Sequence, residues 1–172
     1  MMMESFNLSP SWDTFIFLFF GVCVGYSLLL GKAKITGIML SAYVALAVAN
    51  ETGDILYSYF TRTSAYGAAT SIFTFKTVLF ALIILFFTLK NENIKVGEVS
   101  HGLIGTIMAA IYGFFSAGLM LTSIATFMSE KQLEVIFGQS SLAAHMMQFR
   151  FLWLIMPIIF IIFFSFAKKS KK

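Results

Sequence analysis

Long apolar stretches alternate with short polar ones along this chain. Runs such as FIFLFF and IIFIIFF have no polar face to turn toward water and suit lipid on all sides. A helix needs about 20 residues to cross a hydrocarbon core of ~30 Å, with a range of roughly 17 to 25. By that rule the pattern predicts five spans, at 13–30, 35–50, 70–89, 102–128 and 149–167. The expected fold is all-α: a polytopic transmembrane helix bundle forming a single integral membrane domain over 1–172. No soluble domain, low-complexity linker or solenoid-type repeat interrupts it.

Two of the polar connections carry patterns of their own. ETGDILYSYFTRTSAY sets Ile55, Leu56, Tyr59 and Phe60 at helical spacing, with Tyr57 and Tyr66 nearby. That pattern predicts an interfacial amphipathic helix with aromatic anchors. SEKQLEVIFGQSSLAAHMMQF groups Leu133, Ile136 and Phe137 before a break at Gly138. Ser140 or Ser141 then caps a second short helix carrying Leu142, Met146 and Met147.

Composition fits a membrane protein. The 172 residues are 59% hydrophobic and 12% charged, with 21 Phe, and cannot clothe a soluble domain of this size. Charge then orients the spans, because basic residues collect on the cytoplasmic side. Five spans put Lys32, Lys34, Lys90, Lys95, Lys168, Lys169, Lys171 and Lys172 on one side, against Arg62, Lys131 and Arg150 on the other. The N-terminus is therefore expected outside and the C-terminus inside, in a multi-pass cell-membrane protein.

The net charge of +4 owes much to the terminal KKSKK. Such a tail fits the anionic lipid headgroups of the bilayer, and nothing else points to nucleic acid. One cysteine, Cys23, allows no intramolecular disulfide. The start MMMESFNLSPSWD has Glu4 and Asp13 but no Lys or Arg, so no cleaved targeting peptide is expected.

The clearest packing signal lies in the fourth span. Gly105, Ala109, Gly113 and Ala117 recur every four residues, with Gly102, Thr106, Ala110 and Gly118 beside them. In lipid, such a groove lets another helix approach closely. An internal partner is favoured, and a second copy or another membrane protein is the alternative. Gly21 and Gly25 repeat the idea weakly in the first span. Gly31 and Gly37 bracket the basic turn KAKIT, where glycine permits a sharp return between spans.

Lys76 is an ammonium group inside a span. The apolar run after it, 78–89, rises only ~18 Å and cannot cross alone. A span beginning at Thr70 places Lys76 ~9 Å below the outer boundary, within snorkelling reach. Asp13, Glu51 and Asp54 map to the same side, so an intramembrane ion pair of Lys76 with Asp13 or Asp54 is expected.

Catalytic constellations are missing. His101 and His145 fall on opposite sides under this topology and cannot share a metal. No phosphate loop, nucleophile elbow or HExxH occurs. The chain is expected not to be an enzyme, with no catalytic, cofactor-binding or metal-binding residues and no cofactor.

Three features together resemble the colicin V production protein family. They are Trp12–Asp13 opening the first span, the glycine-bounded turn GKAKITG, and the late glycine-rich span GLIGTIMAAIYG. SSLAAHMM is similar to the short amphipathic segment that follows in that family. The resemblance implies a small bacterial inner-membrane protein, an accessory or envelope-associated component linked to toxin export or envelope homeostasis. It supplies no catalytic residue. The rival expectation is an oligomeric small-solute transporter or channel, a homo-oligomer joined along the Gly105–Ala117 ridge.

Overall fold

The structure, a computed structural model, describes residues 11–63, 70–90 and 103–169, the last six of these by backbone alone. His101, Gly102, Tyr66, Lys95, Lys171 and Lys172, which figure in the expectations above, lie outside the described residues. Within them the chain is helical: α1 (Trp12–Thr63), α2 (Ile72–Lys90), α3 (Leu103–Thr126), α4 (Glu130–Gln139), α5 (Ser141–Gln148) and α6 (Arg150–Lys169). By length and composition α1, α2 and α3 can each cross a membrane, and α5 with α6 forms a bent fourth candidate, angled at 61°.

Helix starts follow local hydrogen-bond chemistry. Ser11, Ser71, Ser129 and Ser140 each accept from the backbone N–H three residues on, satisfying a donor that the first turn leaves unpaired. At Ser129 the Gln132 side chain reaches back to complete a capping box.

α1 is interrupted at Gly31, whose φ of 77° and ψ of 166° belong to a region only glycine occupies readily. There the chain folds back, and its two arms lie side by side. Phe19, Cys23 and Tyr26 of the first arm line one cavity together with Ile35 and Ile38 of the second. At the other end, Phe73 lines a cavity with Trp12 and Phe15, while nearby Phe75 stacks on Tyr57 and Phe60. The beginning of the first arm and the end of the second therefore share one end of the bundle, here called the Trp12 end.

The second arm departs from expectation. The sequence suggests a short span over 35–50 followed by a separate interfacial helix, yet the helix runs unbroken from residue 32 to Thr63. Asn50, Glu51 and Thr52 are polar, but polarity does not stop a helix. Thr52 returns its hydroxyl to the Val48 carbonyl, and Gly53 is buried within the helix. At 1.5 Å per residue the arm measures roughly 48 Å, long enough to cross ~30 Å of hydrocarbon with tilt.

A smaller correction concerns the α4–α5 break. It falls at Ser140, with φ −143° and ψ 108°, and Gly138 sits inside α4. The serine supplies an extended backbone and a cap together, which glycine cannot.

The core is built where the second arm, α2 and α3 meet. Met39, Ala42, Ala45, Ala49 and Leu119 are fully buried there, with Phe80 and Phe127 joined edge to face. α6 contains a fully buried Pro157, which leaves the Trp153 carbonyl without its usual N–H partner. One residue on, the Leu154 carbonyl accepts from the Tyr43 hydroxyl at 2.6 Å and ties α6 to the second arm.

Candidate functional site

Several polar contacts among the described residues lie at the Trp12 end. The Lys76 Nζ donates to Asp54 Oδ2 at 3.0 Å. Its aliphatic stem lies across Gly53, where an added Cβ would fall 2.9 Å from both Cγ and Cε. Glycine thus clears a path along the second arm for the stem, and the next residue receives the charge. The pair is lopsided: the Lys76 side chain is 15% exposed and that of Asp54 is 63% exposed.

Asp13 is engaged elsewhere. It accepts from the Ser140 hydroxyl, and beside it the Trp12 indole N–H donates to Gln139 at 2.9 Å. Of the two expected partners for Lys76, the structure brings Asp54 to the lysine and sends Asp13 to the α4–α5 elbow. The reason is register. Trp12 and Asp13 open the first arm, which packs on α3 and α5, whereas Lys76 faces the second arm.

Beneath this elbow lies a half-open cavity of about 340 Å³. Phe15, Ile16 and Phe19 form one wall, the last turns of α3 another, and α4 and α5 contribute Leu133, Ile136, Phe137, Met146 and Met147 as a roof. The roof residues are the apolar faces of two short amphipathic helices, so the cap is held by apolar contact and by the two hydrogen bonds at its elbow. His145 does not line this cavity, and its Nδ1–H donates to the Ser141 carbonyl at 2.7 Å, within α5.

Gly105, Ala109, Gly113 and Ala117 are all buried. At Gly113 a Cβ would lie 2.2 Å from the Ser27 hydroxyl and 3.1 Å from the Cys23 carbonyl oxygen. The ridge therefore receives the first arm of the same chain. Neighbouring Gly118 receives Trp153 of α6, whose ring would be 2.0 Å from an added Cβ. Gly21 and Gly25, by contrast, face open space.

Sequence reasoning passed over a second small-residue stripe, on the second arm. Ala42, Ala45, Ala49 and Gly53 recur every three or four residues and are all buried. The signal was present in SAYVALAVANETG, but it lay across what looked like a span boundary. Among the described residues no group of His, Cys, Asp and Glu is placed to hold a metal ion. Comparison with known protein families, curated proteins and solved structures finds no match to this chain.

Proposed function

We propose that this protein is a multi-pass inner-membrane component with an accessory or envelope-associated role, as its resemblance to colicin V production proteins implies. In this reading it crosses the bilayer five times, α1 contributing two crossings, with the N-terminus outside and the C-terminus inside. The observation that carries it is the filling of Gly113 by Ser27 and of Gly118 by Trp153, all within one copy. A transporter built by oligomerisation along the Gly105–Ala117 ridge needs that groove for a second copy. Occupation of the groove from within supports a self-contained bundle over such an oligomer.

Crosslinking between copies tests the choice. The cysteine belongs at exposed Ile107 beside the ridge, in a Cys23→Ser background, because Gly105 is buried and one at Gly113 would collide with Ser27. The proposal expects no inter-copy crosslink and no solute flux above empty vesicles. A dimer crosslinked through position 107, together with flux, would favour the transporter.

A further inference from the structure

In a membrane interior a hydroxyl group ordinarily returns its proton to a carbonyl one turn back. Thr36, Ser41, Thr88, Thr122, Ser123 and Thr126 all do so here. Among the described residues, two buried hydroxyls have no hydrogen-bond partner, Thr77 Oγ1 on α2 and Ser116 Oγ on α3. Leaving a buried polar group unpaired costs about 1–3 kcal/mol, so two such groups on one cavity call for a guest.

Both residues line the same cavity, of about 420 Å³, between the two arms of α1, α2 and α3. That volume lies in the range of ligand pockets, roughly 300–1,000 Å³. Ser116 is 1% exposed. A serine or threonine hydroxyl re-aims by rotation about one bond between staggered wells, without backbone change. No charged side chain lines the cavity, and its remaining walls are mostly apolar, with Phe19, Phe80 and Met120 among them. Its exposed lining residues are Tyr26 on the first arm and Ala81 and Leu85 on α2. It therefore opens sideways, between the first arm and α2, toward the surface that a spanning bundle turns to lipid.

We infer that this cavity binds a neutral lipid alcohol: an uncharged apolar body with one hydroxyl head, entering laterally. A guest hydroxyl both donates and accepts, so it can pair with either of the two cavity-lining hydroxyls. A charged head is excluded, because no counter-charge lines the walls and bare charge at such depth is expensive. Plain hydrocarbon fills the space but leaves both hydroxyls unpaired.

The test uses the full chain in phosphatidylcholine nanodiscs with a diazirine-bearing octanol as photolabel, displaced by 1-octanol, octane or octanoate. The expected result is saturable labelling of α2 and α3 along the cavity wall. Octanol should displace the label about tenfold better than octane, and octanoate should not compete. Ser116→Ala combined with Thr77→Val should erase the preference for octanol over octane while label still enters. Leu85→Trp, which narrows the mouth two helical turns from Thr77, should abolish labelling and serves if the double variant fails to assemble. Equal displacement by octane, an unchanged preference in the double variant, or labelling that does not saturate would each overturn the inference. The last of these would mean that only water or fluid lipid occupies the space.

Discussion

The indole of Trp153 fills the space that a side chain at position 118 would need, with Cε3 2.0 Å from where a Cβ would stand. The same ring meets Phe20 and Phe114 at centroid distances of 5.8 and 5.4 Å, so it joins α6, α3 and the first arm. Gly118→Ala should therefore destabilise the bundle by about 1–3 kcal/mol, the usual cost of overpacking. Thermal unfolding in detergent reads this directly. Trp153→Leu in the same chain should cancel much of the added penalty, because the clash is with the indole.

Gly113 predicts a sharper contrast. Gly113→Ala meets the Ser27 side chain at 2.2 Å and should lower stability, and Ser27→Gly should partly restore it. Gly25→Ala, with nothing within 4 Å, should be neutral or stabilising by up to about 1 kcal/mol through helix propensity. Equal losses at positions 113 and 25 would contradict the packing described.

At the ion pair the two partners should behave unequally. Lys76→Met leaves a largely exposed carboxylate and should cost about 1 kcal/mol at most. Asp54→Asn leaves a mostly buried ammonium with a weaker partner and should cost more. Assembly in membranes and thermal unfolding of both variants decide the order. If Lys76→Met assembles normally yet loses the biological phenotype, the lysine has a role beyond packing.

The α4–α5 cap should loosen independently of the bundle. Ser140→Ala removes both the cap on Ala143 N–H and the donor to Asp13, whereas Asp13→Asn keeps the cap. The first should cost about 0.5–2 kcal/mol locally and the second less. Hydrogen exchange over 129–149 should quicken in that order, with little change in α3.

Much of the bundle is legible in sequence because lipid imposes a length rule on apolar runs. α2, α3 and α6 start and end within a few residues of the expected spans. The return at Gly31 is legible because its backbone conformation demands glycine. The second arm was misjudged for a physical reason. Polar residues mark where a helix meets headgroups, not where its hydrogen bonds end, so Asn50 to Thr52 hid a continuous helix. Of the candidate residues, Lys76 with Asp54 and the glycine-rich ridge could be found by depth and spacing. The Asp13–Ser140 and Trp12–Gln139 contacts join residues 127 positions apart, and no local pattern encodes such a pairing. The unpaired hydroxyls of Thr77 and Ser116 were equally invisible, since most serines and threonines in spans pair with their own helix.

The proposed five crossings turn on the reversal at Gly31, which lets α1 cross twice. Cysteine labelling in intact cells tests it most directly, with single cysteines at Lys34 and Ser58 in a Cys23→Ser background. These positions lie on the same arm, near its start and near its end. The account predicts that a membrane-impermeant maleimide labels position 58 from outside and position 34 only after the membrane is opened. Labelling of both from the same side would contradict it.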